Sequence, residues 1–187
     1  FAHESLVGLA QWGDKPVINA LCDQEHPCQA LADFMALRAV KGHLEGLKMA
    51  YIGDGNNVAH SLMLLAGHTG VNITVACPVG YEPSAQYVEI ARTFAEASGS
   101  SVEIVNDPFA AVEGADAVYT DVWASMGQEA ETAKRERDFI GFQVNSKLMS
   151  AAKPDAVAMH CLPAHRGSEI TDEVMDSEHS IIFDQAE

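Results

Sequence analysis

Short apolar runs alternate with amphipathic stretches along this chain, and the alternation predicts its elements. Residues 16–21 read as a strand. His26-Pro27 then opens a helix, with Pro27 suited to the first helical position because its missing N–H costs nothing there. Ala30, Phe34 and Leu37 recur at helical spacing and give that helix a buried face. Residues 47–53 form a second strand, too apolar to have a wet side. Residues 56–68 read as a helix with Val58, Leu62 and Leu65 on one side and Gly70 as its stop. The alternation continues with a strand at 72–77, a helix at 84–98 ended by Gly99, and a strand at 102–106. A short helix after Pro108 precedes a strand at 115–120. Helical stretches over 128–138 and 145–152 lead to a strand at 156–160, and a last strand is expected at 180–183.

Apolar strands separated by helices imply an α/β fold with a mostly parallel sheet and helices on both faces. Right-handed crossovers make such a sheet doubly wound. Ligands then bind beyond the carboxyl ends of the strands. Function is therefore expected at residues 53–57, 77–81, 121–128 and 160–166.

Composition narrows the classes. The 187 residues are 48% hydrophobic and 20% charged, enough for an ordinary single-domain core. No apolar run approaches the ~20 residues of a membrane-spanning helix. The opening residues have neither the basic start nor the apolar stretch of a signal peptide. A soluble, cytoplasmic protein is the expectation. The formal charge of −16, from 27 acidic and 11 basic side chains, repels nucleic acid and favours a small cationic ligand. Lys134, Arg135 and Arg137 are interleaved with acids and form no basic patch. The four cysteines do not suggest a disulfide scaffold in a chain with a good core. Cys22, His26 and Cys28 lack the second ligand pair of a structural zinc site, so no metal is expected.

Four segments carry candidate chemistry. Gly53-Asp54-Gly55-Asn56-Asn57-Val58, at a strand-to-helix turn, half-matches the dinucleotide fingerprint. Its third glycine is replaced by Val58, and no acid follows the next strand until Glu82, so two of three requirements for NAD fail. A tight turn with Asn56 as helix cap explains the glycines and leaves Asn57 free to meet a ligand. In Asp121-Val122-Trp123-Ala124-Ser125-Met126-Gly127-Gln128-Glu129, a carboxylate after a buried strand suits an ammonium, or else Asp121 or Ser125 caps the next helix. In His160-Cys161-Leu162-Pro163, strand alternation points His160 away from Cys161, which argues against a thiol nucleophile. A cysteine at a strand end is more often packed than catalytic, and as a polar contact to a substrate amine it would need no partner base. His26 and Gln29, three apart at a helix start, share a face from which they could donate to a carbonyl or anion; His26 could equally be a cap.

Taken in this order, His26-Pro27-x-Gln29, Gly53-Asp54-Gly55-Asn56-Asn57, Asp121-x-Trp123-x-Ser125-Met126-Gly127-Gln128-Glu129 and His160-Cys161-Leu162-Pro163 resemble the ornithine carbamoyltransferases over essentially the whole chain. The Ser-Met-Gly and His-Cys-Leu-Pro segments distinguish that family from the aspartate and putrescine carbamoyltransferases. The resemblance implies a Rossmann-like ornithine-binding domain over residues 1–187, with residues 1–25 leading in from a carbamoyl-phosphate domain. It implies carbamoyl transfer from carbamoyl phosphate to the δ-amine of L-ornithine, without a cofactor, in arginine metabolism. By family pattern, Asn57, Asp121, Ser125 and the Met126 backbone hold the ornithine α-amino and carboxylate groups. Cys161 with the Leu162 carbonyl orients the δ-amine, while His26 and Gln29 reach the carbamoyl group. The family's phosphate-binding Ser-Thr-Arg-Thr-Arg segment does not occur in this sequence, which stops just before a family arginine and a final helix. The expectation is a chain inactive by itself, from a protein that assembles as a homotrimer or higher multiple. A dehydrogenase and a non-catalytic amino-acid-binding module are the rival readings.

Overall fold

In the computed structural model, which describes residues 2–125 and 127–186, five parallel strands form one sheet in the order β3-β2-β1-β4-β5. Two helices, α1 (His3–Trp12) and α2 (Pro27–Lys41), precede β1 (Lys48–Ile52). Then come α3 (Asn57–Thr69), β2 (Asn72–Ala76), α4 (Ala85–Ser98), β3 (Val102–Val105), α5 (Pro108–Val112) and β4 (Ala117–Thr120). A single 3-10 turn, Glu129–Glu131, runs into α6 (Thr132–Asp138); α7 (Ser146–Met149), β5 (Val157–His160), α8 (Asp172–Met175) and α9 (Ile182–Ala186) complete the chain.

Strand alternation divides the core into two layers. Met49, Tyr51, Ile73, Val75, Ala117, Tyr119 and Met159 point to the face covered by α2, α3 and α4. Ala50, Ile52, Ala76, Val118 and Ala158 point to the other, against α5, α7, α8, α9 and Phe139. Both faces are dry, which is why these strands read as unbroken apolar runs.

The order places the topological switch between β1 and β4, because the chain winds outward from β1 through β2 to β3 and returns to start again at β4. The register aligns Ile52 with Ala76 and with Thr120, and Thr120 with His160. Hence the turns after β1, β2, β4 and β5 come out along one edge, where the ligand crevice of a doubly wound sheet lies.

Two expected strands are corrected. Residues 16–21 form none: Ile18 is exposed, and among the described residues no strand pairs with the run. At 180–183, Ser180 makes one parallel bridge to Ala158, and Ile182 already begins α9. Four apolar residues do not distinguish strand from helix by periodicity, and here tertiary packing chose the helix. Helices α1 and α8 were not anticipated; α1 buries none of its residues within this chain.

Asp33 is an acid inside the core. Asp33 on α2 is fully buried and accepts hydrogen bonds from Gln29 Nε2 (2.9 Å), Tyr119 OH (2.8 Å) and Gln185 Nε2 (2.7 Å). Burial raises its pKa from 3.8 to about 6 against the pull of these donors. The folded chain therefore binds more protons than the unfolded one between those values. The group contributes most stability below its unfolded pKa, and loses it as pH rises through the folded one. Relative to Asp33→Asn, the wild type should gain about 2 kcal/mol on going from pH 7 to pH 4.5. Urea unfolding of both proteins across that range checks it; a pH-independent difference would mean Asp33 ionises normally.

Candidate active site

A cleft of about 1040 Å³ opens at the switch point, and all four segments expected to carry function contribute to its wall. Gly53, Asp54 and Gly55 turn the chain from β1 into α3. Gly53 has φ +154, and a Cβ on Gly55 would stand 2.1 Å from the Pro83 nitrogen. The second glycine is thus required by the close passage of residues 82–83, without any nucleotide. Asn56 caps α3, its Oδ1 accepting from the Val58 and Ala59 amides and from Tyr51 OH.

The Asn56 cap also does something the sequence reading missed. Its Nδ2 donates to Asp121 Oδ2 at 2.7 Å. The other carboxylate oxygen of Asp121 accepts from Cys161 Sγ (3.0 Å) and from the Val122 amide (2.7 Å). Asp121 is buried at the foot of the cleft, and among the described residues no lysine, arginine or histidine pairs with it. Nor is it a helix cap, since α6 begins after Glu131.

Cys161 keeps its proton. Burial first, then the charge of Asp121, push its pKa well above the ordinary thiol range. His160 is turned away as strand alternation requires: it takes the Leu162 amide on Nδ1 (2.8 Å) and faces Glu169 Oε1 with Nε2 (3.2 Å). Leu162, which lines the cleft, is held by that bond at φ +55, a left-handed value rare outside glycine. Asp121, His160 and Cys161 bring one ligand atom each within 4.8 Å of one another. Both His160 nitrogens are already engaged, so only the carboxylate and the thiol face the cleft. Cys22, considered above with His26 and Cys28, instead sets its thiol against His3 Nδ1 (3.5 Å).

His26 also lines the cleft. It precedes α2 without making a side-chain cap, and its buried Nδ1 has no hydrogen-bond partner among the described residues. Burial lowers its pKa, which favours the neutral imidazole. Gln29 departs from expectation: it is not part of the cleft wall, and its Nε2 is turned inward to Asp33 rather than outward as a donor. Asn57 lines the cleft while its Nδ2 holds the Cys22 carbonyl (2.8 Å). Ser125 lines it too, in a closed pair with Gln128: the Ser125 amide donates to Gln128 Oε1, and the Gln128 amide to Ser125 O. Met126 lies outside the described residues.

The outer wall holds a buried ion pair that the sequence did not announce. Arg135 Nη1 reaches Asp54 Oδ2 (2.6 Å) and the Trp123 carbonyl (2.8 Å), and Nε reaches Glu131 (3.1 Å). Burial raises the Asp54 pKa, with Arg135 opposing. Lys134 is bound to Asp138 and Tyr81. Both cations of the wall are therefore neutralised locally, while Asp23, Glu82 and Asp121 remain as acids. The cleft suits a cation. A second hollow of about 600 Å³, over α4, contains none of these residues.

These features define a doubly wound α/β domain with an acidic ligand cleft at its topological switch point. Family comparison agrees with the geometry. The Asp/Orn binding domain of aspartate/ornithine carbamoyltransferases matches residues 45–187, and the carbamoyl-P binding domain of the same proteins matches residues 1–39. The chain belongs to the aspartate/ornithine carbamoyltransferase family. It is 54% identical over its whole length to the ornithine carbamoyltransferase of Thermococcus kodakarensis and 57% identical to that of Parasynechococcus marenigrum. The solved ornithine carbamoyltransferase of Pyrococcus furiosus superposes with a TM-score of 0.96 at 52% identity, covering 100% of this chain. The chain spans 58–59% of the length of these relatives.

Alkylation tests the state of the thiols. At pH 8, iodoacetamide should modify exposed Cys28 first and leave Cys161 and Cys77 intact, the latter raised to about 12 by burial. Peptide mass spectrometry reads this directly, and labelling of Cys161 at the rate of Cys28 would restore the nucleophile reading.

Proposed function

We propose that the protein carrying this chain transfers the carbamoyl group of carbamoyl phosphate to the δ-amine of L-ornithine, giving L-citrulline and phosphate. This chain supplies the ornithine half of the site and is inactive alone. The observation that carries the reading is Asp121: a buried carboxylate held by neutral donors, unpaired with any cation among the described residues, at the foot of an acidic cleft. An ammonium there gains a charge-assisted hydrogen bond. Ornithine carries two amines on a flexible stem, and Asp121, Asn57 and Ser125, with the Met126 backbone, hold its amino-acid end.

The δ-amine must be neutral to attack, and its free pKa resembles that of lysine, ~10.4. Desolvation beside the protonated Cys161 thiol and the Leu162 carbonyl lowers it. The amine then forms a bond to the carbamoyl carbon and gives up a proton, and the C–O bond breaks as phosphate leaves with the electron pair. His26, which lines the cleft, stabilises the carbonyl oxygen as it becomes negative. Gln29, outside the wall of this cleft but on the helix face that His26 begins, offers its amide oxygen to the carbamoyl NH₂. Holding the two substrates in line contributes much of the remaining rate.

Phosphate needs cations, and the two in this cleft are already bound to acids. The carbamoyl-phosphate domain, of which residues 1–25 are the lead-in here, supplies them in the whole protein, a cytoplasmic homotrimer or higher multiple.

A citrulline assay on the full-length protein tests the reading, with ornithine, putrescine and aspartate offered in turn. Citrulline from ornithine alone is expected. Asp121→Asn should lower kcat/KM by about 30-fold or more, the usual cost of removing a buried charge partner. Cys161→Ala should also lower it, without abolishing turnover as loss of a nucleophile would. No product from ornithine would leave an amino-acid-binding module as the surviving reading.

A further inference from the structure

Asp33 lies outside the cleft, yet its hydrogen bonds lead to elements that border it, α2 behind His26 and the ends of β4 and β5. Gln29 is one helical turn earlier on α2, the i, i+4 spacing that lets side chains meet, and it gives its Nε2 to Asp33 Oδ1 at 2.9 Å. Tyr119, two residues before Asp121 on β4, gives its hydroxyl to Oδ2 at 2.8 Å. Gln185 on α9 gives its Nε2 to Oδ1 at 2.7 Å, and its Oε1 accepts from the His160 amide at 3.0 Å, next to Cys161. Three elements that are distant in sequence are thus tied to one carboxylate.

All three donors are neutral. Among the described residues no cation pairs with Asp33, and a buried carboxylate so placed is among the costlier groups to fold; an apolar side chain would fill the same space with less penalty. The arrangement fits a role in geometry. An ionised carboxylate only accepts, so it fixes the sense of each partner. Gln29 is held with its nitrogen inward, leaving Oε1 as the acceptor it can offer. Gln185 is likewise held with its nitrogen on Asp33 and its oxygen on the His160 amide.

We propose that Asp33 is a positioning residue that couples the carbamoyl side of the site to the ornithine side. Through Gln29 it presents an amide oxygen suited to the NH₂ of a carbamoyl group rather than to an oxygen of an acyl group. Through Tyr119 and Gln185 it sets the carboxyl ends of β4 and β5, which carry Asp121 and Cys161. This rests on the carbamoyl-transfer reading above, in which Gln29 reaches the carbamoyl group.

The test uses the full-length protein and compares wild type, Asp33→Asn, Gln29→Leu and the double variant. Each is assayed for kcat and for the KM of both substrates, well below its Tm. Asp33→Asn should raise the KM for carbamoyl phosphate about tenfold, the range expected for losing a hydrogen bond to a charged group. In the Gln29→Leu background the same substitution should change that KM less than about twofold, because both act through one amide. A lower Tm with wild-type KM values, or effects that simply multiply in the double variant, would overturn the coupling and leave Asp33 a structural residue. If Asp33→Asn does not fold, Tyr119→Phe replaces it, keeping the ring and removing the hydroxyl. A fall in kcat of about threefold or more supports the coupling, and wild-type kcat overturns it. Wild-type protein that makes no citrulline would overturn the carbamoyl-transfer reading, and this inference with it. An active wild type with unaltered variants would overturn this inference alone.

Discussion

At the foot of the cleft the Asp121 carboxylate takes the Cys161 thiol, the Asn56 side-chain amide and the Val122 N–H on its two oxygens. Each of the first two donors comes from a different strand end. Asn56 arrives from the turn after β1 and Cys161 from the end of β5, on either side of β4. The arrangement exists because β4 pairs in parallel with both β1 and β5, in a register that ends all three strands at one level. A shift of one residue in either pairing would turn alternate side chains to the opposite face and dissolve the site.

Leaving that charge uncompensated requires the neighbouring cations to be occupied. Arg135 is buried against Asp54 and Glu131, and also over the Tyr81 ring, while Lys134 is held by Asp138. Replacing Asp138 would free Lys134 within the same cleft, whereas Arg135 would keep one acid if either Asp54 or Glu131 were replaced. The buried pair of Arg135 and Asp54 also ties the Trp123 carbonyl to α6, so the segment after β4 is anchored two residues beyond Asp121. The raised pKa of Cys161 belongs to the same economy of charge: a thiol beside an unpaired carboxylate stays protonated and serves as a donor.

Asp33 repeats the pattern one layer deeper, with neutral donors on a buried carboxylate, but it faces no solvent and no cleft. Its partners lie on α2, β4 and α9. The two acids therefore differ in what they can do. Asp121 can meet a ligand, whereas Asp33 can act only by fixing where other side chains point.

Much of this was legible in the sequence, for a local reason. Dry strands read as apolar runs, glycines mark the turns, and a doubly wound sheet brings its strand ends to one edge whichever strand lies where. The four segments after β1, β2, β4 and β5 were accordingly expected at the cleft, and they meet there. Alternation along β5 likewise foretold that His160 would face away from Cys161. Other features depended on contacts between residues far apart in the chain. Asn56 had a sufficient local role as a cap, so nothing marked it as the partner of Asp121 across 65 positions. Gln29 shares a helix face with His26, but its amide turns inward because Asp33, one turn on, is a buried acceptor. Arg135 sits in a run of mixed charge that reads as a solvated face, and only the fold brings Asp54 beneath it. Residues 16–21 and 180–183 looked like strands, and whether a run pairs is decided by what lies beside it. Local periodicity determines which elements form and which residues they offer, while the direction and charge state of a buried polar group are set by partners that only folding brings within 3 Å.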